Sequence, residues 1–320
     1  FQILDVESDH ERAELASCFV EGLPWRHSPV LSAEVRRYIN TDVLHFQIAF
    51  EGFIGALIDL SYGEENPYNG ILLDKMFRGW STASRDAEWT FLISTSRADA
   101  CMQISEWCWR NADKLSDVAA SLVSIFLCWT CSSTCPVLRD TATKALTATV
   151  IAHPGIAAGL WERFKDIGDD YILERLIAML FGAYCHVPEA LSWPAIASGI
   201  YELVFCGEET YPNILVRDYA RSMIKRMVRR GTIEEEPFKK AFERGHSSWY
   251  EHVPSNEEID EFENKVKKEY GEHSDEANSV RRIIHSMTTE YGRGTCAYGD
   301  FGRYVFGIHV DMWDNQFNSD

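Results

Sequence analysis

Three thiols stand close together in the stretch FLCWTCSSTCPVLRD at 126–140. Cys128, Cys131 and Cys135 have C-x2-C-x3-C spacing, with Pro136 directly behind. Thiolate runs of this kind hold iron–sulfur clusters, and the spacing matches the tail of the C-x2-C-x2-C-x3-C-P ligand run. A cubane cluster needs a fourth thiolate, and the upstream position that would supply it is Ile125. Zinc needs four ligands as well. His153 and Cys185 are conceivable additions, yet neither has the spacing of a zinc knuckle. The triplet also overlaps the end of an apolar helical pattern, DVAASLVSIFLCW, and the cap of the next helix, where Ser132, Ser133 or Thr134 could serve. Cysteine in such a place packs as a small hydrophobe. We read the three as structural and expect neither a metal nor a cofactor.

Other chemical signals are weaker. Asp300–Gly302 spells DFG, but a kinase also needs a glycine-rich loop, a V-A-I-K lysine and H-R-D-x-x-x-x-N shortly upstream. The nearest imitation is VRD at 216–218, inside a helical pattern. There is no G-x-x-x-x-G-K-[ST], and GRGTCAYG at 292–299 neither follows a strand nor opens a helix. Neither G-x-S-x-G nor H-E-x-x-H occurs, and the ten histidines show no i,i+4 pairing. An active site assembled only in three dimensions stays open at this level. The expectation is a chain without catalytic residues of its own.

The bulk numbers narrow the class. A chain of 320 residues with 46% hydrophobic content can bury a sizeable core. Its formal charge of −18 opposes a nucleic-acid backbone, which calls for clustered Lys and Arg. The basic stretch RSMIKRMVRR at 221–230 has acidic neighbours and helical spacing, so it reads as a solvated helix face. No apolar run approaches the roughly 20 residues that span a bilayer. Nine cysteines, an odd count placed mostly in helix-like apolar runs, suit reduced thiols in the cytoplasm. Phe1 in the place of an initiator Met leads us to expect a piece of a longer or processed chain.

The elements that would position any site are helices. Amphipathic windows predict helices over 96–112, 115–130, 136–151, 154–167, 170–184, 188–206 and 213–230, with Pro136, Pro154, Pro188 and Pro212 near their starts. Short connections make successive helices antiparallel neighbours. PVLRDTATKAL (136–146) and NILVRDYARSMI (213–224) share an aliphatic–Arg–Asp–x–Ala core, and DYILERLIAML (170–180) is a degenerate copy. Arg139 and Asp140, Arg175, and Arg217 and Asp218 form the repeat motif. The steps Asp140 to Arg175 and Arg175 to Asp218 are 35 and 43 residues, bracketing the HEAT/armadillo period. The predicted fold is all-α: a HEAT/armadillo-like α-solenoid of stacked helix hairpins with an irregular C-terminal extension.

Three regions are expected: an N-terminal helical segment over 1–70, hairpin repeats over 71–231, and a charged helical extension with a Gly/Tyr-rich tail over 232–320. In the second part Ser84 reads as an N-cap, and in the last Ser255 does. TIEEEPFKKAFERG reads as a charged helix. Trp80, Trp89, Trp107, Trp109, Trp161, Trp193, Trp249 and Trp313 should mostly anchor the core, and any left exposed would mark a protein-binding face.

Several segments taken in order resemble one family. They are NPYNGILLDKMFRGWSTASRDAEWTFLI, ISEWCWRNAD, TCPVLRDTATKAL, DDYILERLIAML, YPNILVRDYARSMI and YGDFGRYVF. Over about 66–306 they look like the helical C-terminal region of large bacterial STAND-type P-loop NTPases, the Avs antiviral family. The resemblance implies a sensor that binds a phage terminase large subunit or portal protein, so that the NTPase oligomerises and an effector switches on. Neither the NTPase nor the effector lies within these residues. The thiol triplet is not part of that pattern, and GIHVDMWDNQF after the tail motif does not match it. The tail offers Tyr298, Asp300, Arg303 and Tyr304 of that motif, and Trp313 after it, as candidate partner contacts. The partner implied is a folded protein, with no nucleic acid or membrane, in a full-length protein that can oligomerise. The competing readings are a scaffold that mediates self-association and a metalloprotein or enzyme with a composite site.

Overall fold

The computed structural model describes residues 8–26, 29–207, 209–243 and 254–287. Two compact units divide the chain, Phe1–Thr82 with Glu88–Ser247 and Ala83–Ala87 with Ser248–Asp320. The described residues are helical throughout, without a strand.

The first unit opens with α1 (Asp9–Glu21), α2 (Ala33–Tyr38), α3 (Gln47–Asp59) and α4 (Gly70–Arg78). Next in the chain come the short α5 (Thr82–Arg85) and a wide π-type turn over Asp86–Thr90, of which Ala83–Ala87 group with the second unit, and then α6 (Phe91–Ser94). Seven longer helices come next: α7 (Ala98–Asn111), α8 (Asp117–Thr130), α9 (Pro136–Ala152), α10 (Ala157–Phe164), α11 (Asp170–His186), α12 (Trp193–Phe205) and α13 (Ile214–Arg229). They occupy the seven windows predicted from periodicity. One layer runs α3, α7, α9, α11, α13, each packed on the next. The other runs α4, α8, α10, α12, and α8/α9, α10/α11 and α12/α13 are antiparallel hairpins between the layers. The fold is thus an all-α stack of helix hairpins.

Position in the stack explains composition. Helix α11 touches α9 and α13 on its flanks and α10 and α8 across the layer, so it is apolar almost all round. Its buried set includes Ile172, Leu176, Ile177, Leu180 and Tyr184. Helices α7 and α9 bury small residues instead, Cys101, Ser105 and Cys108 on one and Thr141, Ala142, Ala145 and Thr149 on the other. Small side chains let two helix axes approach closely. Buried hydroxyls in this interface bond the carbonyl one turn back, Ser105 to Cys101, Thr141 to Val137 and Thr149 to Ala145, so no partnerless donor is left there.

Some boundaries differ from the expectation. Helix α12 starts at Trp193 rather than 188, and Pro194, not Pro188, takes the first-turn position. Ser84 lies inside α5 rather than at its start, because the helical run already begins at Thr82. The described residues of TIEEEPFKKAFERG, 232–243, form only a short 3-10 segment, Glu236–Phe242, kinked at Phe238. There Phe238 and Ala241 are buried, and Phe238 meets the Tyr201 ring edge-on at 5.1 Å, so tertiary contact overrides helical spacing.

A charged node ties the layer of α4, α8 and α10 together. Asp74 on α4 is 2% exposed. Its carboxylate accepts from Arg78 Nε at 3.0 Å, Arg163 Nη1 of α10 at 2.6 Å and the Trp129 indole N–H of α8 at 3.0 Å. Arg78 also donates to the Arg163 carbonyl oxygen and lies over the Phe164 ring. Two close approaches set the spacing around this node. A Cβ on Gly70, the first residue of α4, would stand 2.4 Å from the Leu122 carbonyl oxygen of α8. A Cβ on Gly199 of α12 would stand 2.5 Å from the Trp161 indole nitrogen of α10.

The second unit contains α14 (Asn256–Tyr270) and α15 (Asp275–Met287), packed on each other. Ser255 caps α14 as expected: its hydroxyl accepts from Glu258 N at 3.3 Å and Glu258 answers on Ser255 N at 2.8 Å, a capping box.

Removing Asp74 leaves two guanidinium groups and an indole N–H facing one another, so Asp74→Ala is expected to lower stability by about 3 kcal/mol. Gly199→Ala forces overlap with a fully buried indole and is expected to cost about 1–3 kcal/mol. Urea denaturation followed by far-UV circular dichroism measures both, and unchanged midpoints would contradict the packing described.

Candidate interaction surface

The thiol triplet comes apart in space and chemistry. Cys128 and Cys131 are buried, and Cys135 occupies the cap position of α9. No hydroxyl caps that helix as expected of Ser132, Ser133 or Thr134: Pro136 supplies no N–H at the first position, and Ser133 Oγ accepts from Cys135 N instead. Burial pushes the Cys131 thiol up to about 12 and that of Cys128 well above its usual value. Among the described residues no group of three or more His, Cys, Asp or Glu is arranged to hold a metal ion. His153 is engaged elsewhere, with Nδ1 2.6 Å from Asp117 Oδ1 and Nε2 3.0 Å from the Ala112 carbonyl oxygen. Cys185 is half-buried on α11.

The repeat motif has a structural part to play. Arg139 donates to the Ser133 carbonyl and Arg217 to that of Tyr211, each reaching back six residues to close the turn before its own helix. Arg175 donates to Asp140, linking α11 to α9, and the Arg139 guanidinium lies 4.3 Å from the centre of the Tyr171 ring. Tyr211 adds a tie between hairpins, its hydroxyl donating to Asp170 at 2.9 Å. Asp218 is exposed. The basic stretch of α13 is not simply a solvated face. Arg221, Lys225 and Arg230 lie over the rings of Phe205, Phe242 and Tyr184, and Arg221 Nε donates to the Ala241 carbonyl. Tyr298, Asp300, Arg303, Tyr304 and Trp313, like Trp249, lie outside the described residues.

Trp89, Trp129, Trp161 and Trp193 are fully buried, Trp80 is half-buried against the core and Trp25 is exposed, while Trp107 and Trp109 on α7 are 48% and 46% exposed. The reason is helical phase. Cys101, Ser105, Cys108 and Ala112 form the buried i, i+4, i+7, i+11 stripe of α7 and the turn after it, so residues on either side of Cys108 face outward. Lys144 of α9 reaches over the Trp109 ring at 5.1 Å.

Beside Trp107 is a cleft of about 440 Å³. Gln103, Ile104, Trp107 and Cys108 of α7 form one wall, and Tyr62, Leu115 and Val123 complete it. The connection bearing Leu115 is held at several points. Ser116 caps α8 by accepting from Ala119 N at 3.0 Å and donates its own hydroxyl to Glu64, while His153 holds Ala112 and Asp117. The wall contains no Asp, Glu, Lys, Arg or His. Burial pushes the Cys108 thiol up to about 12, so it stays neutral. A cleft of this size falls within the roughly 300–1,000 Å³ typical of ligand sites. The signal for it was present in the sequence as the small-residue stripe of α7, which assigns Trp107 and Trp109 to the outer face. Their partners Leu115 and Val123 follow on the next connection and on α8, and Tyr62 comes from a distant segment that no periodicity connects to α7.

No helix among the described residues is long and apolar enough to cross a membrane. No family model, curated protein or solved structure matches this chain.

Thiol reactivity tests the cysteine assignments. A thiol with pKa about 12 is thiolate in roughly one molecule in 10,000 at pH 8. Native protein treated with a chromogenic disulfide is therefore expected to react at the exposed Cys18 and Cys206, with Cys101, Cys108, Cys128 and Cys131 labelled only after denaturation. Rapid native labelling of Cys128 and Cys131, located by mass spectrometry, would contradict their burial.

Proposed function

We propose that this chain is a protein-recognition module, and that its partner is a phage terminase large subunit or portal protein sensed in the bacterial cytoplasm. One observation carries the recognition reading. Two half-exposed tryptophans sit on one helix, beside an apolar cleft, on a scaffold whose other helices are locked by packing. Tryptophan is the side chain most enriched in interface hot spots, and a stack of hairpins offers a long rigid surface to a folded partner. The charge of −18 favours a protein partner over nucleic acid. The choice of terminase or portal rests on the ordered segments of the STAND NTPase resemblance. On that reading the chain is the sensor of a larger protein whose NTPase oligomerises on recognition.

The test is co-expression of the tagged chain with individual phage terminase large subunits and portal proteins, followed by affinity capture and size exclusion. A stoichiometric complex with one of them is expected. Absence of a complex with every terminase and portal tried would overturn the partner assignment.

A further inference from the structure

The α7 cleft has a chemistry that narrows what a partner must present. Its wall is apolar and uncharged, so whatever enters it is apolar and uncharged. Its mouth is partly formed by exposed side chains of Tyr62, Gln103 and Trp107, so an occupant can continue past the rim. Gln103 and Trp107 are four residues apart and therefore lie along one face of α7. Asp99, one turn earlier, extends the same stripe.

The segments that carry these lining residues, 62–65 and 99–117, hold six carboxylates, Glu64, Glu65, Asp99, Glu106, Asp113 and Asp117, against two cations, Arg110 and Lys114. Three of the six are already occupied. Glu64 accepts from Ser116, Glu106 pairs with Arg110 at 3.3 Å, and Asp117 faces His153. Glu65, Asp99 and Asp113 are exposed and carry no ion pair or hydrogen bond with the other described residues. Neither cation is paired with them: Arg110 is held by Glu106, and Lys114 donates to the neutral Asn111 at 2.6 Å. The segments around an apolar cleft therefore bear three unpaired negative charges.

We propose that this cleft seats the apolar face of a basic amphipathic helix presented by the partner protein. Leu-, Ile- or Phe-like residues at i and i+4 enter between Trp107, Ile104 and Leu115, and Lys or Arg on the flanks meets Asp99, Glu65 and Asp113. The Gln103 carboxamide, with no hydrogen bond to other described residues, is placed to bond the polar edge of that helix. The proposal rests on the recognition reading and names the chemistry of the recognised segment.

The probe is a fluorescein-labelled 14-residue helix of Leu and Lys in amphipathic order, with a Leu/Glu counterpart of the same pattern. Binding is read by fluorescence anisotropy at 0.15 M salt. The full chain is compared with Trp107→Ala and with the triple variant Glu65→Gln, Asp99→Asn, Asp113→Asn. All four substitutions are at exposed positions, and a matching thermal melt confirms that each variant is folded. The Leu/Lys probe is expected to bind the unmodified chain, to lose at least tenfold in affinity with Trp107→Ala and at least fivefold with the triple variant. The Leu/Glu probe is expected not to bind. Equal binding of the Leu/Lys probe to all three proteins would mean attraction to the acidic surface at large and would overturn the proposal, as would no binding to the unmodified chain. The two readings fail separately. A phage-protein complex that forms equally well with Trp107→Ala sinks the cleft and leaves recognition standing. Cleft-dependent probe binding without any phage-protein complex does the reverse.

Discussion

The buried carboxylate of Asp74 is the constraint on which the stack depends. An ionised group taken out of water needs opposite charge and hydrogen bonds, or it neutralises. Asp74 obtains them from three different helices: its own α4 through Arg78, α8 through the Trp129 indole, and α10 through Arg163. These partners converge on a single carboxylate only when the layer α4, α8, α10 is in one register. Hydrophobic contact alone tolerates sliding, since packing is not directional. The charge therefore contributes register more than net stability, because the cost of desolvating it offsets much of the attraction. Around it the aromatic rings of Phe77, Trp89, Trp129 and Phe164 stack edge-on or tilted, at centroid distances of 4.8 to 5.7 Å, and complete the enclosure.

The other layer is registered differently. Helices α7 and α9 meet through small residues, and α9 and α11 are linked by Asp140 and Arg175. Arg139 and Arg217 do not reach across to neighbours with hydrogen bonds but close the turns that deliver their own helices. One sequence motif thus serves two purposes. Its Arg position stabilises a turn within a hairpin, and the following position ties adjacent hairpins together where charges of opposite sign fall there.

Much of the fold was legible because hairpin stacks are local. The seven long helices fall in their predicted windows, since each buries apolar residues at helical spacing and short connections separate them. What could not be read depended on contacts between distant segments. Glu236–Phe242 looks helical by spacing, yet Tyr201 and the neighbouring core hold Phe238 in a kink. Ser84 looks like a cap, but the chain had already turned helical at Thr82. The thiol triplet, by contrast, was legible as packing from its place at the end of an apolar helix, and Cys128 and Cys131 are buried. The cleft is the extreme case, because Tyr62 reaches it from a segment far from α7 in the chain. Asp74 carried no sequence signal either: an aspartate in the middle of ILLDKMFRGW reads as solvent-facing until Arg163, 89 residues away, is placed against it.

The same reasoning explains why Trp107 and Trp109 matter more than the tryptophans that hold the core together. Burying a large aromatic ring contributes stability in proportion to the area removed from water, roughly 25 cal/mol for each Å². Four tryptophans of this chain realise nearly all of that gain in folding, and the two on α7 leave about half of theirs unrealised. Rotating α7 to bury them would expose Cys101, Ser105 and Cys108 and place large rings where α9 approaches most closely, so packing forbids the exchange. The scaffold therefore holds the two rings at its surface by the close fit of its small residues on the opposite side. Rings held rigidly in this way lose little conformational freedom when another surface covers them, which is the condition under which buried area converts most fully into binding.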